Sequence, residues 1–240
     1  MKAIPQEESW RRVSQLQEHL VKHHADGFLV TQNVDQFYIT GSLQTGFLFV
    51  PAMGEPCYYV RRSVQRASAE SWCKVKPLGS FRKFGRTLAQ DYPNIWETGR
   101  PKPIRIATEF DVLPVEWYQR MQSAIPAVEC VNGSNWIKTV RSIKSEWEIE
   151  KMKHAAHMVD QALKHGLSCL HPGMREVDLM AEIEHELRRQ GHAGSMRMRA
   201  YNQEIITGMI GSGEAAAEPT YFDGPAGGRV PRRAAPRGPP

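Results

Sequence analysis

Several short patterns in this 240-residue sequence hold residue types that could do chemistry. His185-Glu186-Leu187-Arg188-Arg189 begins like a zinc-binding helix, in which two histidines one turn apart hold the ion and the glutamate acts as base. Arg189 stands where the second histidine must be, so the pattern does not close on a metal. His154 and His157 are three residues apart and could share an ion, but no third ligand stands at a readable spacing. They therefore read as surface or packing residues. Gly211-Ser212-Gly213 is too short to cradle a phosphate and no lysine follows it, and Ser212 lacks the flanks of a strained nucleophile elbow. A turn serine is the expectation. Asp160, Asp178 and Glu182 read as solvated helix faces. Cys57, Cys73, Cys130 and Cys169 lie far apart with no C-x-x-C pair, so they are expected to be reduced, buried small side chains rather than a disulfide framework or zinc knuckle.

The elements that must position these residues follow from apolar spacing. Trp10, Val13, Leu16 and Leu20 recur at three- and four-residue steps and predict a first helix. Gly27–Val30, Gly46–Val50 and Cys57–Val60 predict buried strands, with Met53-Gly54-Glu55-Pro56 as the turn between the last two. Further strands are expected at Ile104–Thr108 and Val128–Val131, separated by helices near Phe84–Gln90 and Pro114–Gln122. That alternation predicts a layered α/β domain. After Arg141 the texture changes. Ile149, Met152, Ala156, Val159, Leu163 and Leu170 form one stripe at helical spacing, predicting a long amphipathic helix from Ser145 to about Leu170. His171-Pro172-Gly173 breaks it, and Val177, Met180, Ile183 and Leu187 start a second helix that Gly191 can end in a left-handed cap. Extended segments through Ile205, Ile206 and Ile210 are expected next, ending at the Gly211-Ser212-Gly213 turn.

A composition of 41% hydrophobic and 24% charged residues excludes collagen-like, coiled-coil and wholly disordered chains. The longest clean apolar run, Phe47–Met53, is interrupted by Pro51 and falls far short of the roughly eighteen residues a membrane span needs. The first residues, with Glu7, Glu8 and two arginines, do not resemble a secretory signal, so a cytoplasmic protein is expected. Lys plus Arg outnumber Asp plus Glu by 31 to 26, but Arg229, Arg232, Arg233 and Arg237 fall in the last twelve residues, leaving 27 against 26 elsewhere. The body thus has no net basic character from which to argue nucleic-acid binding. Residues 229–240 contain only Arg, Val, Pro, Ala and Gly and are expected to be a disordered basic tail, either natural or the product of a shifted or early-ended reading frame.

Taken in order, the motifs are more informative than any one alone. Tyr38-Ile39-Thr40-Gly41 follows an apolar strand, Arg141-Ser-Ile-Lys144-Ser145-Glu-Trp-Glu148-Ile149 leads into a helix, and Pro172-Gly173-Met174-Arg175-Glu176 opens the next. Gly191-His192-Ala193-Gly194 and Gly211-Ser212-Gly213-Glu214-Ala215-Ala216-Ala217-Glu218-Pro219 continue the series. From about Arg11 to Gly228 the chain resembles the creatinase, prolidase and aminopeptidase P family. The resemblance implies a creatinase-like N-terminal α/β domain over residues 1–143, then the first part of a pita-bread α+β catalytic domain over 144–228.

Two departures stand out: Ala215 replaces an asparagine common in these peptidases, and Thr220 replaces a substrate-contacting histidine. Arg175 also replaces the Ser or Thr that usually caps the second helix, a loss of about 1 kcal/mol by typical cap values. The family's chemistry needs two divalent metal ions held by Asp, Asp, His, Glu and Glu, which follow the Gly-rich segment ending here at Gly228. Carboxylates suit that task because bridging anionic oxygens hold two hard or borderline cations close together and activate a bridging water. Beyond Gly228 this sequence has no Asp, Glu or His, and Asp223 alone cannot bind a metal pair.

The resemblance therefore implies a C-terminally truncated relative of an Xaa-Pro peptidase, the parent cleaving peptides before proline and this chain inactive, with no catalytic residue or metal ligand of its own. Thr220 and Tyr221 are substrate-binding candidates by position only. A homodimer is a further expectation, since family members commonly dimerise, and no nucleic-acid or membrane partner is expected. Two alternatives stay open: a creatinase-like relative acting on a small non-peptide substrate, and a non-catalytic pita-bread protein that binds partners.

Overall fold

Strand pairing places residues distant in sequence at one sheet edge, and the computed structural model describes this for residues 3–97, 102–194, 198–199 and 210–213. The chain divides into two compact units, Met1–Lys144 with Arg199–Tyr201, and Ser145–Met198 with Asn202–Pro240.

In the first unit, β1 (Gly27–Val30), β2 (Gly46–Pro51), β3 (Cys57–Val60), β4 (Lys74–Pro77), β5 (Ile104–Thr108) and β6 (Val128–Asn132) form one sheet in the order β4-β3-β2-β1-β5-β6. Only β2 runs against its neighbours, pairing antiparallel with both β1 and β3. The other pairings are parallel, so β1, β3, β4, β5 and β6 all end at the same sheet edge. In β1 and β3 every residue is buried, as expected for strands covered on both faces.

Period-two alternation divides the interior into two cores. Phe28, Val30, Leu48, Val50, Tyr58 and Val60 face α1 (Gln6–Lys22), α2 (Asn33–Thr40), α3 (Val64–Glu70) and α6 (Ser134–Ser142). Leu29, Phe49, Cys57, Tyr59 and Ile106 face α4 (Phe84–Asp91) and α5 (Val115–Ala124) through Phe84, Leu88 and Met121. The result is the layered α/β fold expected from the alternation. Gly46 is required where β2 meets β3, since a Cβ there would lie 2.1 Å from the Tyr59 carbonyl oxygen.

The five strands and three helices predicted in this unit are all present within a residue or two of their expected limits, Gly54 supplying the positive φ of the β2–β3 turn. Four α-helices and strands, and a short 3-10 helix at Phe81–Lys83, were not predicted. α2 buries Asp35, Gln36 and Thr40 beside a single apolar residue, Ile39, so its inward face is mostly polar and shows no apolar period. β4 is an edge strand of sequence Lys-Val-Lys-Pro, the composition by which edges avoid further pairing. α3 and α6 are short, each in a segment with few apolar residues.

The second unit opens with α7 (Glu146–Cys169) and α8 (Glu176–Arg189), antiparallel neighbours around the turn at Gly173. Ser145 caps α7 in a reciprocal capping box: its hydroxyl accepts from the Glu148 N–H at 3.2 Å, and the Glu148 carboxylate accepts from the Ser145 N–H at 2.9 Å. Arg175 makes no side-chain cap at α8, as expected, and instead holds Asp178 with two bonds of 2.6 Å. Gly191 has the anticipated positive φ just beyond α8.

α7 packs by a face other than its apolar stripe. α7 meets α8 through Ala162 and Gly166 rather than through the apolar stripe, and Met152, Val159, Leu163 and Leu170 of that stripe are exposed. Ile183 of α8 is buried against Gly166. Small residues win the contact because they let the helix axes approach, which larger aliphatic side chains prevent. Of the expected extended segments, Ile205 and Ile206 lie outside the described residues, and Ile210 is described without strand structure.

Candidate functional site

Among the residues singled out for chemistry, Ala215, Thr220, Tyr221, Asp223 and the Arg- and Pro-rich tail lie outside the described residues. Ser212 is described and behaves as a turn serine, its N–H and hydroxyl donating to Glu176 Oε1 at 2.7 and 2.8 Å. His154 and His157 are exposed on α7. Asp160 pairs with Lys164 at 2.7 Å, and Asp178 with Arg175, as solvated faces do. Glu182, as exposed as Asp178, has one oxygen 3.5 Å from His165 Nε2. All four cysteines are free, but only Cys57 is fully buried, where burial raises its thiol pKa to about 11.

The strongest concentration of charge in the first unit is one that sequence reasoning missed. Asp35, on the polar face of α2, is fully buried and accepts from the guanidinium groups of both Arg141 and Arg199. Arg199 also binds Asp111 through both terminal nitrogens, at 2.8 and 3.1 Å, and Asp111 pairs with Lys138. Burial pushes the Asp111 carboxyl upward, but hydrogen bonds from Arg199 and Lys138 outweigh it and hold the group well below the usual carboxylate range. Arg141, the first residue of the interdomain motif, thus anchors α6 to α2.

Glu109 follows β5 and is also fully buried. Its Oε2 accepts from the Thr31 N–H at 2.9 Å and the Thr31 hydroxyl at 2.8 Å, and its Oε1 from the Gln32 N–H at 3.4 Å. Burial, followed by repulsion from Asp35, raises its pKa to about 7 against those hydrogen bonds. Glu109 therefore ties the end of β1 to the end of β5. A lone glutamate following an apolar parallel strand was the available signal for it in the sequence.

Thr31 and Gln32 also line a cleft of about 1250 Å³, shared with Phe47, Arg61, Phe81 and Trp117. It opens where β1, β3 and β4 end, the edge at which parallel sheets commonly receive ligands. Arg120 lies over the Trp117 ring at 4.5 Å from its centroid. This lining can take an apolar body carrying a hydrogen-bond acceptor.

The motif Tyr38-Ile39-Thr40-Gly41 also acquires a physical meaning. Arg12 stacks on the Tyr38 ring at 3.9 Å, the Tyr38 hydroxyl donates to the Val140 carbonyl at 3.4 Å, and the Ser9 hydroxyl donates to the Ile39 carbonyl at 2.7 Å. Thr40 bonds back to the Gln36 carbonyl, and Gly41 closes α2 with φ of 74°. The motif locks α1, α2 and α6 together and carries no reacting group.

The chain has relatives among known proteins. Residues 12–143 match the creatinase/prolidase N-terminal domain family, and residues 150–232 match metallopeptidase family M24. With the first match covering more than half of its length, the chain belongs to the creatinase/prolidase family. An uncharacterised hydrolase/peptidase of Sinorhizobium fredii is 23% identical over 209 residues, 80% of this chain and 53% of that one. An uncharacterised peptidase of Bacillus subtilis is 27% identical over 166 residues, 69% of this chain and 45% of the relative. The chain spans about half the length of the curated relatives it matches.

Among solved structures, an Xaa-Pro dipeptidase from Bacillus anthracis superposes with a TM-score of 0.64 at 22% identity, over 76% of this chain and 50% of that one. The prolidase of Pyrococcus horikoshii gives 0.62 at 20%, over 75% and 49%. These likenesses establish the fold: a creatinase-like α/β domain followed by the first part of a pita-bread domain.

A carboxylate-bridged pair of divalent ions, which the family implies, can be tested against the donors present. Among the described residues, the one group of three or more side chains with ligand atoms close enough to share an ion is His165, Cys169 and Glu182. It supplies a single carboxylate, and the other acids of α7 and α8 that are described above are engaged by Lys164, Arg175 or Ser212. The described donors do not fit a two-ion bridged centre.

Proposed function

We propose that these 240 residues form the N-terminal domain and the opening of the catalytic domain of an Xaa-Pro peptidase-like protein, whose complete form hydrolyses the bond before proline with two divalent metal ions. The observation that carries this reading is the succession of the two family matches along one chain, in the order that peptidases of the family use. The apolar face of α7 adds support. Met152, Val159, Leu163, Leu167 and Leu170 are each about half exposed or more, which a helix completed by further protein mass would cover. Four free cysteines fit a reducing, cytoplasmic setting, and among the described residues no helix is long and apolar enough to cross a membrane. A peptide is the substrate class of the complete protein, and a homodimer its working form.

The 240 residues by themselves do not hydrolyse peptides on this reading, because no side-chain set among the described residues can hold a bridged ion pair, and Thr220 and Tyr221 contribute at most substrate contacts. The test is an assay of the purified chain on Gly-Pro and Ala-Pro substrates with manganese, cobalt or zinc supplied. No turnover above a metal-only blank is expected. Metal-dependent hydrolysis lost on Asp223→Ala would overturn the assignment of the ligands to a segment beyond Gly228.

A further inference from the structure

We propose that His165, Cys169 and Glu182 form a mononuclear site for a borderline divalent cation, best suited to zinc, that clamps α7 to α8. His165 and Cys169 are four residues apart on α7 and so project from one helix face. Glu182 comes from α8, which Gly166 allows to approach closely: a Cβ on Gly166 would lie 2.5 Å from Ile183 Cγ1. The residue next to His165 is therefore the one that brings the third ligand within reach. All three side chains are half-buried, which limits competition from bulk water without closing the site.

The distances favour a metal over the other chemistry that Cys, His and Glu can perform together. Cys169 Sγ lies 3.6 Å from His165 Nε2, and Glu182 Oε2 lies 3.5 Å from the same nitrogen. A catalytic relay needs the acid on one ring nitrogen and the thiol on the other, so that the imidazole passes a proton between them. Here thiol and acid share Nε2, as ligands sharing a vertex do. With metal–ligand bonds of about 2.0–2.3 Å at tetrahedral angles, the N···S and N···O edges come to about 3.6 and 3.4 Å. The two edges at Nε2 agree with these, and the ligand atoms all lie within 4.8 Å of one another, so a small side-chain adjustment brings the third edge to the same length.

A set of one thiolate, one imidazole and one carboxylate is mixed in softness and suits Zn²⁺, leaving the fourth position to water. Binding replaces the Cys169 S–H bond by S–Zn and releases that proton to solvent.

The decisive measurement is cobalt titration of the full 240-residue chain under reducing, metal-free conditions, followed by zinc competition. One equivalent of Co²⁺ should give the intense visible bands of four-coordinate cobalt together with a thiolate-to-cobalt charge-transfer band in the near ultraviolet, and zinc should displace it. Cys169→Ser should abolish the charge-transfer band. Cys169→His should keep the four-coordinate visible bands while losing the charge-transfer band, a result that a merely misfolded variant cannot give. Glu182→Gln should weaken binding by at least about tenfold, one of three protein ligands having lost its charge. His154→Ala/His157→Ala should bind as the parent does. A six-coordinate cobalt spectrum in the folded parent, a charge-transfer band that survives Cys169→Ser, or binding that depends on His154 and His157 would each overturn the proposal.

Discussion

Replacing Glu109 by glutamine should flatten the pH dependence of the first unit's stability between pH 5 and 8. In the fold Glu109 titrates near 7, against an ordinary value of 4.5, because it is buried and faces Asp35. A group whose pKa is raised by folding contributes stability that is complete below its unfolded value and is lost as pH climbs through its folded one. Between pH 4.5 and 7 the native state binds the extra proton, so the loss amounts to roughly 3 kcal/mol, at 1.36 kcal/mol per tenfold change in proton affinity.

Glutamine cannot ionise and removes that slope. Its oxygen can still accept from the Thr31 N–H and hydroxyl, but its amide group would face the Gln32 N–H, donor against donor. That mismatch costs about 1 kcal/mol at any pH. The variant should thus lie within about 0.5 kcal/mol of the parent at pH 5, where the unfolded glutamate is already mostly ionised and the parent has lost most of about 1 kcal/mol, and be more stable by about 2 kcal/mol at pH 8. Asp111 does not confuse the result: its lowered pKa adds stability above its ordinary range that is lost only in stronger acid. His19, with a pKa lowered first by burial and then by His23, gives a slope of the opposite sign but is present in both proteins.

Urea unfolding at four pH values, followed by tryptophan fluorescence, reports mainly on this unit, since Trp10, Trp72, Trp96, Trp117 and Trp136 lie in it and only Trp147 lies outside. A difference between the two proteins that stays constant from pH 5 to 8 would refute the reasoning.

In the second unit, Gly166→Val should lower stability by about 1–3 kcal/mol, the usual cost of overpacking, and weaken cobalt binding with it. Circular dichroism during thermal unfolding, paired with the cobalt titration, checks both, and a variant as stable as the parent would show that α8 yields freely at Ile183. Val159→Lys with Leu163→Lys should reduce binding of an apolar dye and aggregation while leaving stability within about 0.5 kcal/mol, because both side chains are about half exposed. A marked loss of stability would mean that the face is covered within the chain itself.

Regular elements carried by short-range apolar period were readable from the residues alone. α1 announces itself by Val13, Leu16 and Leu20, and the strands β1, β2 and β3 by runs buried on both faces. The order of motifs was also enough for the family, because it is a property of the chain and not of its packing. Elements whose inward face is largely polar could not be read this way: α2 buries Asp35, made tolerable by Arg141 and Arg199 far away in sequence, and Gln36, whose amide donates to the Val30, Thr31 and Gly46 carbonyls. The same limit applies to Glu109, whose partners at Thr31 and Gln32 lie across a parallel strand pair. On α7, apolar size pointed to the stripe of Val159 and Leu163, yet closeness of approach selected Ala162 and Gly166, and with them the meeting of His165, Cys169 and Glu182. A pattern in one helix ranks its faces by hydrophobicity; only the neighbour's shape decides which face allows the tighter contact.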